Sequence, residues 1–202
     1  SGAVYLELQS TYVSSVETFP LVFGASLPTT ATNTITIRPQ SGATGLTITS
    51  SASQTIDLSG AKYIYFDGRP AGLGSSSELT ISNTITSGNA FRFINDAQYN
   101  NIQYCTVTGI NTSATNGVIF FTTTSGTSGG NSYNTFNYCT IKDGTTLPSQ
   151  LIYSAGTATY PNTSNTVSNS NLLNWFYSGG SVHGAIQLGT ASTAWTITGN
   201  SF

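Results

Sequence analysis

Short runs in which apolar and polar residues alternate recur along the whole chain, and turns rich in Gly, Ser, Asn and Thr separate them. One run returns six times in the same form, with inward-facing residues at every second position. The six copies read TITIRPQ, YIYFDGR, NIQYCTV, TFNYCTI, TVSNSNL and TITGNSF. A period of two is the pattern of a strand with one buried face, so each copy predicts a β-strand.

The copies return at a nearly constant spacing. Their first apolar positions are Ile35, Ile64, Ile102, Phe136, Val167 and Ile197. These positions are 29, 38, 34, 31 and 30 residues apart, and Leu6 and Leu8 belong to a further copy 29 residues before Ile35 and Ile37. Such a spacing is typical of repeat proteins, in which each repeat stacks on the one before it.

Two more short strands are predicted between most copies. Examples are Leu46/Ile48 and Ile56/Leu58 in one interval and Leu151/Tyr153 in a later one. Three short strands per repeat predict an all-β fold, a right-handed parallel β-helix of about six to seven coils, with residues 1–202 as one domain. A β-sandwich also needs alternating strands, but it does not require one register to persist through six intervals.

The shared register also predicts which side chains stack on one another. Inside, Ile64 is expected to stack on Ile102. At the following bend the predicted row is Arg38, Asp67, Cys105, Cys139, Ser170 and Asn200, and before the strand it is Asn33, Lys62, Asn100, Asn134, Asn165 and Trp195. Parallel side chains on adjacent coils do not converge as a disulfide requires, so we expect two free, buried thiols at Cys105 and Cys139.

The composition excludes several classes of protein. The chain has 34 threonines, 28 serines and 17 asparagines, but only five Lys and Arg residues and a net charge of −2. So few cations cannot neutralise a phosphate backbone, so nucleic acid is not an expected partner. No apolar run approaches the length of a membrane span. No His/Cys cluster has metal-site spacing, and we expect no metal and no cofactor.

Several stretches resemble one family. ETFPLVFG, NTITIRPQSGATGLTI, IDLSGAKYIYFDGRP, FRFINDA, NGVIFF and TAWTITGNSF are similar to the β-helical repeats of large secreted, adhesin-like cell-surface proteins of Bacteroidota. The resemblance covers nearly the whole chain and is specific in the FDGRP and AWTITGNSF segments. It implies a secreted or surface location in a Gram-negative bacterium and export by the type IX secretion machinery. It supplies no catalytic motif.

Parallel β-helices also include polysaccharide lyases and hydrolases, which need clustered carboxylates for catalysis. The seven carboxylates contain no Asp-Asp pair, and no two of them share a register on adjacent coils. Asp67 is expected beside Arg38 and Cys105, and its carboxylate is predicted to stabilise the turn rather than to act as an acid or nucleophile. His183, in the loop SGGSVHGA, lacks a nucleophilic partner at defined spacing and is predicted to be solvated.

The outward side of the recurring strand is the candidate ligand surface. Its two predicted rows are Thr34, Tyr63, Asn101, Thr135, Thr166 and Thr196, and Thr36, Tyr65, Gln103, Asn137, Ser168 and Thr198. Amides, hydroxyls and aromatic rings suit glycan binding, so the candidate ligand residues are Tyr63, Tyr65, Gln103, Asn137 and, in a loop, Trp175. The same composition also suits a solvated sheet that binds nothing. Ice binding would need a regular threonine array, which Tyr63, Tyr65 and Gln103 interrupt.

We therefore expect an extracellular, non-enzymatic segment of a bacterial surface protein, acting as an adhesin stalk or a glycan-binding module. The alternative is a polysaccharide-active enzyme of the pectate-lyase-like class with its site in loops or outside this segment. Leu6 and Leu8 already belong to a full coil, and Trp195 and Phe202 lie in a coil without a polar cap. We expect these residues to be part of a longer chain, because complete solenoids carry polar caps.

Overall fold

The computed structural model describes residues 2–123, 129–180 and 182–202 and confirms the all-β parallel β-helix, with about six turns. The described residues include two 3-10 turns, Ser14–Val16 and Pro70–Gly72. The first ten strands are β1 (Val4–Leu8), β2 (Leu21–Gly24), β3 (Ile35–Pro39), β4 (Leu46–Ser50), β5 (Gln54–Ser59), β6 (Ile64–Asp67), β7 (Leu79–Asn83), β8 (Asn89–Ile94), β9 (Asn101–Gln103) and β10 (Cys105–Gly109). The remaining strands are β11 (Ile119–Thr122), β12 (Thr135–Asn137), β13 (Thr140–Asp143), β14 (Gln150–Ala155), β15 (Asn162–Thr163), β16 (Thr166–Ser168), β17 (Asn171–Leu172), β18 (Gly184–Leu188), β19 (Ser192–Thr193) and β20 (Thr196–Thr198).

Three parallel sheets form the sides of the helix. Sheet A has the order β1-β3-β6-β9-β12-β16-β20, sheet B the order β18-β14-β11-β8-β5-β2, and sheet C the order β17-β13-β10-β7-β4. A full coil passes from sheet A to sheet C and then to sheet B. In the first coil the 3-10 turn Ser14–Val16 takes the place that a strand of sheet C has in the following coils, and it contacts β4. Late in the chain β15 and β19 add a two-stranded sheet.

The core is a column of aliphatic and aromatic side chains between the three sheets. Phe93 and Phe121 stack with ring centroids 4.2 Å apart, and Phe136 meets both rings edge-on. Phe66 in turn contacts Phe91 edge-on. Offset and edge-to-face contacts add to the hydrophobic effect of burying these rings, so this column is the main source of stability.

Two of the predicted registers are wrong by two residues. In the first, Leu6 pairs with Ile37 instead of Ile35. Ile35 pairs with Ile64 as expected, but Ile102 pairs with Phe66 instead of Ile64. A shift of two residues keeps every side chain on the same face of the sheet, so alternation in the sequence cannot detect it. The structure sets this register with Asn100, whose Oδ1 accepts a hydrogen bond from the backbone N–H of Ile64.

A shift of one residue affects β14. Ile152 and Ser154 pair with Ile119 and Phe121, so Ser154 faces the interior instead of Tyr153, while Leu151 belongs to the core as predicted. Tyr153 instead packs its ring against Phe120 on the outer side of sheet B. Leu151 is fully buried as well. Because LIY is a continuous apolar run, the sequence does not distinguish the two phases.

Asparagine ladders satisfy the backbone at one corner of the helix. Asn100, Asn134 and Asn165 form the central part of the predicted row, and their side-chain amides are linked at 2.9 and 3.0 Å. Lys62 does not continue this ladder, because it pairs with Gln98. A second ladder joins Asn131 to Asn162 at 2.9 Å. Each amide also bonds backbone groups that would otherwise be buried without a partner.

The sequence contains two Asn-Thr-Ser motifs of the N-glycosylation type, which begin at Asn111 and Asn162, and both asparagines are buried. Asn111 and Asn162 are each 0 % exposed. Asn111 donates to the carbonyl of Gly88, and Asn162 donates to the carbonyl of Phe121. Both side chains therefore hold the backbone of the folded protein and are inaccessible to a modifying enzyme.

Cys105 and Cys139 are both unbonded and buried, as the sequence predicted. Burial raises the pKa of the Cys105 thiol well above its usual value and that of Cys139 to about 12. Thiol titration of the denatured protein without reductant should therefore find two thiols per chain. The native protein at pH 8 should react far more slowly, because neither thiol is exposed or ionised. Finding no thiol in denatured monomer would contradict the assignment.

A substitution of Asn134 tests how much the asparagine ladder contributes to stability. Asn134 accepts hydrogen bonds from the backbone and side-chain amides of Asn100 and donates to Ala97 and Asn165. Asn134→Ala should lower the free energy of unfolding by about 3 kcal/mol or more, because several buried groups lose their partners. Asn171→Ala, in an exposed strand position, is the control and should change it by less than about 0.5 kcal/mol. Urea denaturation of the three proteins measures both effects; equal losses would show that the ladder contributes no special stability.

Candidate functional site

Two rows of side chains cover the outer face of sheet A. Strand pairing places Tyr5, Thr36, Tyr65, Asn101, Thr135, Thr166 and Thr196 in the first row. The second row is Glu7, Arg38, Asp67, Gln103, Asn137, Ser168 and Thr198. The predicted rows were shifted by two residues in the early coils, so Tyr65 lies beside Asn101 and not beside Gln103. The two predicted rows contained no charged residue, whereas Glu7, Arg38 and Asp67 occupy the early part of the observed second row.

Tyrosines occupy strained backbone positions at both ends of these strands. Before the strand, Tyr63, Tyr99 and Tyr133 have φ values of 55°, 56° and 60°. After the strand, Tyr104 and Tyr138 have φ values of 50° and 53°. Left-handed backbone costs a residue with a side chain about 1–2 kcal/mol. In later coils the equivalent positions are Ser164 and Ala194 before the strand, and Asn169 and Gly199 after it. The backbone therefore does not require tyrosine there.

Tyr63, Tyr99 and Tyr133 form a tyrosine ladder parallel to the helix axis. The centroid distances are 5.2 Å from Tyr63 to Tyr99 and 4.9 Å from Tyr99 to Tyr133, and the ring planes are 7° and 3° apart. Tyr99 has a ring on each face but remains 40 % exposed, so it presents its edge and hydroxyl to solvent. Tyr133 is 49 % exposed, and the next coil has only Ser164 at its position. Ring stacking offsets part of the backbone strain.

A groove of about 340 Å³ lies between the tyrosine ladder and the outer rows of sheet A. Its lining consists of Tyr63, Tyr65, Tyr99, Asn100, Asn101, Tyr133, Thr135 and Asn137, none of which is charged. One lining atom, Oδ1 of Asn101, is buried and accepts no hydrogen bond. A concave surface with aromatic rings and a few convergent polar groups is the usual form of a ligand site.

Tyr63 and Tyr65 both line this groove. Burial raises the pKa of Tyr65, and the proximity of Tyr63 raises it further. Tyr65 therefore stays protonated well above neutral pH and can donate a hydrogen bond. Tyr65 is partly exposed and forms no ring pair with another described aromatic side chain, so the exposed part of its ring can contact a ligand.

The structure brings most of the predicted ligand residues together. Tyr63, Tyr65 and Asn137 line the groove, while Gln103 lies beside it and donates to Asp67 at 2.9 Å. Trp175 does not line the groove; its ring meets Phe202 edge-on in the C-terminal coil.

Sequence reasoning missed Tyr99 and Tyr133, which complete the ladder. The available signal was a tyrosine two positions before the strands at 101–103 and 135–137, at the place where Tyr63 precedes Tyr65. The alignment of Tyr99 with Tyr133 already follows from the predicted register, but Tyr63 joins them only after the two-residue correction.

The charged side chains of the second row are ion-paired. Glu7 and Arg38 are 2.7 Å apart, and Asp67 and Arg69 are 2.8 Å apart. Asp67 lies opposite Gln103, not Cys105 as predicted. The guanidinium of Arg69 also lies 4.3 Å from the centre of the Tyr104 ring. Burial alone would raise the pKa of Asp67, but hydrogen bonds from Arg69 and Gln103, together with the charge of Arg69, lower it.

The other carboxylates also have partners. Asp57 pairs with Arg92 at 2.6 Å, Glu78 accepts from the N–H of Gly45, and Asp96 accepts from the N–H of Gly130. Asp143 accepts from Asn174, and Glu17 is hydrogen-bonded to Tyr12, whose pKa is raised to about 12 by burial and by that carboxylate. In the described part of the chain, no three His, Cys, Asp or Glu side chains are grouped closely enough to hold a metal ion.

His183 differs from its predicted solvated state. Its ring centroid lies 4.5 Å from that of Phe176, and its Nδ1 atom is buried without a hydrogen-bond partner. Residue 181, in the same loop, lies outside the described residues. Across residues 2–123, 129–180 and 182–202, no helix has the length and hydropathy needed to cross a membrane.

The depressed pKa of Asp67 predicts a pH-dependent contribution to stability. Its ordinary value is 3.8, and the folded protein holds it lower. The carboxylate therefore stabilises the fold above about pH 4, and this contribution is lost as the pH falls through the folded pKa. Asp67→Asn should cost about 1–2 kcal/mol at pH 7, and its deficit relative to wild type should shrink toward pH 2. Urea unfolding at several pH values measures it; a deficit independent of pH would contradict the ion-pair interpretation.

Comparisons with protein-family models, with curated proteins and with solved structures each return no match for this chain.

Proposed function

We propose that this chain is a glycan-binding module of an extracellular bacterial surface protein. The observation that carries the proposal is the uncharged groove beside the tyrosine ladder. It combines phenol hydroxyls, amides and an unstacked aromatic ring along one face of a rigid solenoid. Sugars present hydroxyls at the ring edge and C–H groups on the ring face, so this combination matches both parts of their surface.

The chemistry of the groove favours a ligand role over simple solvation. Threonine and serine would suffice to keep an exposed strand soluble, and later coils use Thr166 and Thr196 in the first row. In the groove the chain instead places tyrosines on strained backbone and leaves Oδ1 of Asn101 without a partner. The left-handed backbone recurs in coils outside the groove, so the support for a bound ligand comes from the choice of tyrosine at these positions and from the unpaired Oδ1 of Asn101.

The surroundings of the carboxylates support binding rather than catalysis. Glycoside cleavage uses an acid and a base or nucleophile placed on either side of one bond. Here Asp57 and Asp67 are held in ion pairs, and neither lines the groove. The competing enzyme hypothesis is tested by incubating the protein with pectin, alginate and β-glucan; released oligosaccharide would refute the binding-module proposal.

The proposed location rests on composition and on the resemblance. A surface rich in Thr, Ser and Asn with 6 % charged residues fits a secreted repeat protein, and the resembling proteins belong to Gram-negative Bacteroidota. The type IX secretion machinery is the corresponding export partner. Cell fractionation and surface labelling in the native host test this location independently of glycan binding.

The binding prediction uses electrophoresis of the native protein through gels that contain xylan, mannan, mixed-linkage β-glucan or amylose. At least one of these polymers should retard the wild type. Tyr65→Ala should weaken retardation about fivefold or more, because the ring provides a stacking surface worth about 1 kcal/mol. Trp175→Ala should leave it unchanged.

Tyr138→Ala provides the matched control for Tyr133→Ala. Both tyrosines have positive φ, stack on one neighbouring tyrosine and are about equally exposed, at 48 % and 49 %. Only Tyr133 lines the groove. Tyr133→Ala should weaken binding while Tyr138→Ala should not; equal loss in both would assign the effect to general destabilisation. No retardation by any polymer would reject the proposed function.

A further inference from the structure

The groups that line the groove repeat along the helix axis. Each of three successive coils contributes one ladder tyrosine and, two positions later, one residue of the first outer row, here called the floor residue. The pairs are Tyr63 with Tyr65, Tyr99 with Asn101 and Tyr133 with Thr135. Along the axis the ladder repeats in steps of 5.2 and 4.9 Å. In the direction of the strands these groups do not repeat, because a different residue type follows the tyrosine at each outward position. A ligand that makes the same contact in every coil must run parallel to the axis.

The distance between neighbouring ladder tyrosines favours one type of glycosidic linkage in the bound polysaccharide. A β-1,4-linked chain of pyranoses is extended and advances by one ring length per residue, which is close to the distance between neighbouring ladder tyrosines. An α-1,4-linked glucan curls and advances much less per residue, so it loses register after one coil. An extended peptide advances only about 3.3 Å per residue and also mismatches the ladder.

The absence of charge in the groove lining favours a neutral polysaccharide over an acidic one. The residues that line the groove carry no formal charge, so a uronic acid polymer would find no cation to pair with. The nearby Arg69 is engaged by Asp67 and lies over Tyr104. A neutral sugar can instead use the phenol hydroxyls and the side-chain N–H groups of Asn137, whose Oδ1 already accepts from Ser168 and Asn169.

We propose that the groove binds a neutral β-1,4-linked polysaccharide lying parallel to the solenoid axis, with one sugar residue per coil across Tyr63, Tyr99 and Tyr133. This inference rests on the proposed function and adds the orientation, the linkage and the charge of the ligand. It makes the three coils of the tyrosine ladder three successive sugar subsites.

Oligosaccharides of defined length test the inference. Calorimetric titration of the wild type with cello-, manno- and xylo-oligosaccharides of one to six residues should show, in at least one series, affinity rising several-fold per residue up to three. Further residues should add much less. Malto-oligosaccharides and oligogalacturonates of the same lengths should bind at least tenfold more weakly than the best neutral β-1,4 series.

A shortened ladder gives the decisive comparison. Tyr133→Ser introduces the residue that the chain itself has at this position one coil later, Ser164, and should move the plateau from three residues to two. Tyr138→Asn introduces the residue found one coil later at the other end of the strand, Asn169, and should leave the length dependence unchanged. Circular dichroism and urea unfolding check that both variants keep the fold.

The outcomes separate the two proposals. Binding that does not depend on ligand length, or an equal proportional loss for every length in Tyr133→Ser, would overturn the axial arrangement and leave glycan binding intact. Equal affinity for malto-oligosaccharides, or stronger affinity for oligogalacturonates, would overturn the linkage or the charge of the ligand. Absence of binding by every oligosaccharide and polymer would overturn the proposed function together with this inference.

Discussion

Stacking of successive coils at one strand spacing is the constraint on which the rest of this structure depends. A residue in a parallel β-helix has its counterparts directly above and below it, so each position repeats its own environment along the axis. Apolar residues therefore form continuous columns such as Phe66, Ile102, Phe136 and Val167. Buried polar residues need hydrogen-bond partners, and the amides of Asn100, Asn134 and Asn165 find them in one another on neighbouring coils.

The same constraint explains why the chain has so few charges. Like charges placed directly opposite on neighbouring strands repel one another. In the second row of sheet A the charges alternate in sign, from Glu7 to Arg38 to Asp67, and the row then continues with Gln103 and neutral residues. On sheet B, Asp57 similarly lies opposite Arg92. Threonine, serine and asparagine are neutral, so they can occupy the same position in any number of successive coils without repelling one another. This accounts for their abundance.

Stacking also turns single residues into extended surfaces. One tyrosine on left-handed backbone is a local strain, but three of them in register make a ladder in which stacking offsets part of that strain. The ladder forms only where consecutive coils supply tyrosine, and it ends where Ser164 and Ala194 take the position. The ladder spans three coils, and the groove beside it has the same extent.

The sequence by itself determined the strands, the parallel β-helix, the unbonded cysteines and the asparagine row from Asn100 to Asn165. These features follow from alternation and from residue type, both of which are local. Tertiary structure decided the pairing of Phe66 with Ile102, because a shift of two residues preserves the alternation that the sequence displays. It also decided the groove, since Tyr99 and Tyr133 join Tyr63 only in that register. Long-range hydrogen bonds such as Asn100 to Ile64 set the register, and no local pattern encodes them.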